Sequence, residues 1–143
     1  MKSLSDFVGL PFKDHGRSAD GADCYGGVRL VLRELRGIVL PDYGSGYHGT
    51  MDCDGIGVAI REGLVRDFVP VARPQPFDLV IFKLAGKPWH VGLVVAPGRF
   101  LHWPQPDERG NDGTSRIAWY TDRTWKHRVD GFWRYRGEVA HAG

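Results

Sequence analysis

The sequence predicts an α+β fold, with N-terminal helices packed on a C-terminal antiparallel β-sheet. Apolar residues recur at helical spacing before the stretch Pro70 to Pro76 and in strand-like runs after it. The third observation is size: 143 residues, 42% of them hydrophobic, make one core without disulfide staples, so residues 1–143 are read as a single domain.

The first helix rests on Val28, Val31, Leu32 and Leu35, spaced i, i+3, i+4 and i+7, with Asp23 placed as N-cap and Gly37 as the residue that ends it. A second, shorter pattern runs from Gly57 to Glu62 behind Asp52 and Asp54, diluted by glycine. Three prolines in the seven residues from Pro70 to Pro76 mark an internal divider. Strands are then expected at Leu79–Phe82, His90–Val95, Phe100–Trp103, Ile117–Tyr120 and Gly131–Tyr135, the last completing an edge with Trp133-Arg134-Tyr135-Arg136. Pro104 to Thr114, rich in Pro, Asp, Gly and Asn, is a surface loop.

Composition removes several function classes. The formal charge of +2 comes from interspersed residues, without the basic run that tracks phosphates, so no nucleic-acid partner is expected. The longest apolar runs, such as Leu79–Phe82 and Val91–Ala96, are too short to span a bilayer. Met1-Lys2 leads into Ser3-Leu4-Ser5-Asp6 with no apolar core, so the expectation is synthesis in the cytoplasm without a signal peptide. The two cysteines form no Cys-x-x-Cys pair, and no cofactor motif appears.

Cys24 carries the strongest chemical signal. It falls at the start of the first helix, where unpaired N–H groups and the dipole favour a thiolate, and it shares the apolar stripe with Val28, which turns its sulfur toward the sheet. A buried structural thiol is the plainer alternative. Cys53 is a weaker nucleophile because Asp52 and Asp54 flank it and oppose a thiolate. A Cys24–Cys53 disulfide fits the spacing but not a reducing compartment.

Of the six histidines, His15, His48, His127 and His141 have polar or glycine-rich neighbours, whereas His90 and His102 interrupt apolar strand runs. If Ala96-Pro97-Gly98 is a three-residue hairpin loop, Val95 faces Arg99, Gly92 faces His102, and both imidazoles lie on one face as diagonal neighbours. A two-residue loop would send them to opposite faces. A helix-start Cys with two same-face His supplies nucleophile, base and orienting group for a thiol hydrolase.

At these residues the sequence resembles the NlpC-type cell-wall cysteine peptidases of the papain-like superfamily, where Asp-Cys-x-Gly opens a helix and His-Val-Gly opens a strand. The chain has Asp23-Cys24-Tyr25-Gly26 and His90-Val91-Gly92, with Gly9-Leu10-Pro11-Phe12 upstream, Phe77 to Phe82 before the histidine, and Gly98-Arg99-Phe100-Leu101-His102 after it. Tyr25, where cellular members usually have Ser, is similar to the phage tail-tip assembly branch. Phe12 departs from the family's usual Tyr, leaving the second oxyanion donor open, with Tyr25 or His15 as substitutes.

The resemblance implies a papain-like fold and hydrolysis of a peptidoglycan stem-peptide amide, with Cys24 as nucleophile, His90 as base and His102 as its orienting partner. It implies no metal and no cofactor. It also implies delivery in a phage virion, with tail-tip proteins as partners. Trp89, Trp103 and the loop Pro104 to Gly113 are expected to wall the cleft, with Asp107, Glu108 and Arg109 either meeting substrate charges or simply solvated. Three other classes stay open: a structural tail-tip part with idle residues, a zinc module built on Cys24, Cys53, His90 and His102, and an amidase or acyltransferase using the same thiol.

Overall fold

The structure, a computed structural model of the chain, describes residues 3–41 and 53–137, with the side chains of residues 53–56 outside that description. His48, Asp52 and His141 also lie outside it, as does the side chain of Cys53. A 3-10 turn, Leu4–Phe7, leads to a short hairpin of β1 (Arg17–Ser18) and β2 (Gly21–Ala22), followed by helices α1 (Cys24–Arg36) and α2 (Cys53–Asp67). Six strands follow: β3 (Phe68–Val71), β4 (Leu79–Leu84), β5 (Lys87–Ala96), β6 (Arg99–His102), β7 (Arg116–Trp119) and β8 (Val129–Tyr135). They form one antiparallel sheet in the order β3-β8-β4-β5-β6-β7.

The expected α+β architecture is present, and α1 has the expected ends. The Asp23 carboxylate accepts from Gly26 N–H at 2.8 Å, and Gly37 takes the left-handed conformation at φ 65°. Helix α2 is longer at both ends than the Gly57–Glu62 pattern suggested, because its packing on β5 and β3 overrides the weak helix preference of its glycines.

Both faces of the sheet are covered, so all four residues Leu79 to Phe82 are buried. On the helix side Val28, Val31 and Leu32 of α1 meet Leu79, Ile81, Val91, Leu93 and Leu101. On the other side Val80, Phe82, Val94 and Phe100 form a smaller core under Tyr120, Trp125 and Phe132. Each such large side chain contributes roughly 1.5–3 kcal/mol on burial.

Three expectations need correction. Residues 68–71, including Pro70 of the supposed divider, form edge strand β3, where a missing N–H costs no ladder bond. The Trp133–Tyr135 tail is no edge, because β8 lies between β3 and β4. The β5–β6 hairpin closes at Ala96 opposite Arg99, so Val95 does not face Arg99 and the loop is the two residues Pro97 and Gly98. Pro97 first and Gly98 second, the latter at φ 82°, is the type II pattern. An extra residue, Val95, then bulges and restores Val94 opposite Phe100 and Leu93 opposite Leu101. The loop was misread, yet the register that sets the two imidazoles on one face is the expected one.

Candidate active site

The site is assembled where the start of α1 meets β5 and β6. Asp23, fully buried, is more than a cap: it also accepts from Arg17 Nη1 at 2.9 Å and from His15 N–H at 3.2 Å, fastening the β1–β2 hairpin to the first turn of α1. Gly26 lies so close to the Gly16 carbonyl that no side chain fits, and Gly27 seats α1 against the Trp103 indole in the same way. These contacts set the height of Cys24 above the sheet.

Cys24 is 6% exposed and belongs to the helix-side core. Its thiol receives hydrogen bonds from the backbone N–H groups of Val91 and Tyr25, which, with Arg17, favour the thiolate. Burial and then the Asp23 carboxylate oppose it and win, pushing the thiol up to about 12 from an ordinary 9.0. The thiolate expected from the helix start is therefore corrected to a resting thiol. A dipole contributes about 0.3–1 kcal/mol, less than the several pKa units that full burial supplies.

His90 and His102 meet directly. Nε2 of His90 lies 2.8 Å from Nδ1 of His102, with the rings nearly perpendicular at 78°. Both are buried and held neutral, His90 pushed down to about 3 by burial, and His102 down by burial, by His90 and by Arg116. Nε2 of His90 is occupied, so its only remaining nitrogen for proton transfer is Nδ1. Nε2 of His102 and Nε1 of Trp103 are buried and, among the described residues, have no hydrogen-bond partner.

Alternation along β5 turns Val91 and Leu93 to the helices, while the ring contacts of His90 are with Phe82 and Trp125 on the other side. The thiol thus reaches the strand at the residue next to His90 but from the opposite face. Among the described residues no hydrogen bond joins Cys24 to either imidazole. The structure brings the two histidines together and places Cys24 beside them rather than on them.

Other expectations separate here. Trp103 is no cleft wall: it is 1% exposed and lies beneath α1, whereas Trp89 is half-buried beside His90. Tyr25 directs its hydroxyl to Pro41 O at 2.6 Å, so in this arrangement it is not an oxyanion donor. Phe12 is half-buried and bridges to Ala22. Asp107 is exposed and folds its own loop, accepting from the Arg109 and Asn111 N–H groups. Sequence reasoning missed Trp125, whose ring covers both histidines; its signal was a lone aromatic in the polar run Thr121 to Arg128.

The fold places a cysteine at the start of α1 and a hydrogen-bonded histidine pair on β5 and β6. The chain belongs to the NlpC/P60 family, whose profile matches residues 9–134. It is 28% identical over 115 residues to Protein P54 of Enterococcus faecium, covering 80% of this chain and 19% of that protein. It is 26% identical over 102 residues to the murein DD-endopeptidase MepS/murein LD-carboxypeptidase of Escherichia coli, covering 71% of this chain and 46% of that one. The chain thus spans less than half the length of these relatives. The crystal structure of an NlpC/P60 family protein from Bacillus cereus shares the fold at a TM-score of 0.67 and 24% identity, covering 92% of this chain and 37% of that one.

Proposed function

We propose that the protein is a cysteine endopeptidase that cleaves amide bonds in the stem peptide of peptidoglycan. The observation that carries this reading is the His90–His102 hydrogen bond, which commits Nε2 of His90 and reserves Nδ1 for a proton, one residue from the amide that seats the Cys24 thiol. The relative named as a murein endopeptidase supports the substrate class.

In this mechanism Sγ of Cys24 turns from the Val91 amide and attacks the substrate carbonyl carbon as its proton passes to Nδ1 of His90. The tetrahedral intermediate collapses to a thioester, and the same proton goes to the leaving amine. Water then hydrolyses the thioester with His90 again as base. A neutral imidazole and a neutral thiol are the correct starting states for general-base attack, in contrast to a preformed thiolate and imidazolium, and the turn of Sγ away from Val91 is what brings the two together. His102 acts through His90, fixing its tautomer and ring plane.

The test is digestion of purified sacculi by the reduced chain, read as new stem-peptide ends by mass spectrometry. Cys24→Ala is expected to remove all product and His90→Ala at least about a hundredfold of the rate, whereas Cys53→Ala leaves it intact. New ends that persist in Cys24→Ala would sink the reading.

A second reading, a structural part with idle residues, is favoured by one observation: thiol and imidazoles are buried on opposite faces of β5. A folded parent that yields no new ends would select it. Under either reading we propose carriage in a phage tail tip, supported by Tyr25 following Cys24. Proteomic analysis of purified virions that fails to find the chain would remove that part.

A further inference from the structure

Trp125 lies on an exposed turn between β7 and β8 that is tied largely to itself. Trp125 and Lys126 donate to Asp122 O at 3.0 and 2.8 Å, Thr124 N–H donates to the Asp122 carboxylate at 3.0 Å, and Arg128 O accepts from Lys83 N–H at 2.8 Å. Arg123, Thr124, Lys126, His127 and Arg128 are exposed, whereas Trp125 is half-buried. Its indole stacks on His90, with centroids 5.6 Å apart at 22°, and stands edge-on to His102 at 5.1 Å and 87°. Phe82 and Phe100 supply the floor from the strands, at 4.7 and 5.4 Å from the same indole. Among the described residues, Trp125 is the one ring in contact with the pair that comes from outside the strands.

We propose that Trp125 is a positioning residue for the imidazole pair: its indole fixes both ring planes and keeps water off their hydrogen bond, so that His90 presents Nδ1 as a neutral proton acceptor. The inference rests on the reading of His90 as the base. Stacking orients a ring that one hydrogen bond holds among the described residues, and covering that bond denies water the chance to compete for Nε2. Among the described residues the charged or titratable group that acts on the pair is Arg116 on β7, while Lys126, His127 and Arg128 are exposed on the turn that carries Trp125 and the Cys24 thiol lies on the far side of β5. None of them enters the lowering of His90, which burial alone causes. Removing the indole therefore acts through water and not through a lost charge.

The experiment is a pH titration of the imidazole C–H resonances in the full chain, comparing the parent with Trp125→Ala and Trp125→Phe. His90 in the parent is expected to stay neutral down to about pH 4, in Trp125→Ala to titrate at least about two units higher, and in Trp125→Phe to remain near the parent. On sacculi, Trp125→Ala is expected to lose about twofold more kcat/KM than the parent between about pH 7.5 and pH 5, because a base raised by about two units is half protonated at the acid end of that range. A structural role alone would lower stability without moving this acid limb. If His90 titrates alike in parent and Trp125→Ala, or if Phe shifts it as far as Ala does, the proposal is overturned. Should Trp125→Ala lose its fold by circular dichroism, Trp125→Leu takes its place, keeping bulk without a ring. A parent with no activity on sacculi would end the proposed function, while the titration would still decide what the indole does.

Discussion

At the scale of single residues, the site is governed by a contest between helix-start activation and burial, and burial wins. Two backbone N–H groups and Arg17 pull the Cys24 thiol toward ionisation, yet desolvation and Asp23 hold it protonated. In a Cys53→Ala background, Cys24 should therefore react with iodoacetamide at about pH 7.5 at least about a hundredfold more slowly than free cysteine, and the rate should climb about tenfold per pH unit through pH 9 to 11. A rate plateau near pH 7 would reveal a thiolate–imidazolium pair instead. Asp23→Asn keeps an N-cap acceptor but removes the charge that raises the thiol and leaves Arg17 without its ion pair, so alkylation at fixed pH should quicken. Cys24 stood out by its place at the helix start, and the meeting of His90 with His102 was legible because each interrupts an apolar strand run. Protonation states were not, since burial belongs to the whole packing and leaves no mark on spacing.

At the scale of elements, the ends of α1 and the strand runs could be read from sequence because cap, period and turn signals agreed. The hairpin shows where such reading stops. Pro97-Gly98 chose a type II turn, and the Val95 bulge cancelled its effect on register, so a wrong loop still led to the right face for His90 and His102. Strand β3 was hidden because Pro70 argues against a strand until the sheet order places it at an edge. The contact of α1 with β6 was hidden too, although it sets the position of Cys24. Gly27 carries it: a methyl group there would enter the Trp103 ring. Gly27→Ala should cost about 2 kcal/mol in urea unfolding, even after roughly 1 kcal/mol of gained helix preference. Unchanged stability would mean that α1 rides freely on Trp103.

At the scale of the whole molecule, two layers converge on β5 from opposite sides, α1 bringing a buried thiol and the β7–β8 turn closing over buried imidazoles. Three neutral groups that ionise in the unfolded chain make stability depend on pH at both ends. The folded state holds His90 down to about 3 from 6.5 and His102 well below 6.5, so as pH falls beneath about 6.5 the unfolded chain takes up protons that the native fold refuses. Stability is complete above that point and drains away below it, at up to about 1.4 kcal/mol per pH unit for each histidine. Cys24 acts with the opposite sign. Raised to about 12 from 9.0, it is released by the unfolded chain above about pH 9 while the native fold retains it, and stability falls again as pH rises toward 12. Urea unfolding should accordingly give a plateau between about pH 6.5 and 9, with His102→Asn flattening the acid side and Cys24→Ala the alkaline side. A transition midpoint unchanged between about pH 7.5 and pH 5 would show that water already reaches the imidazole pair. The pair would then be open in the resting fold, and the indole of Trp125 would be only a neighbour.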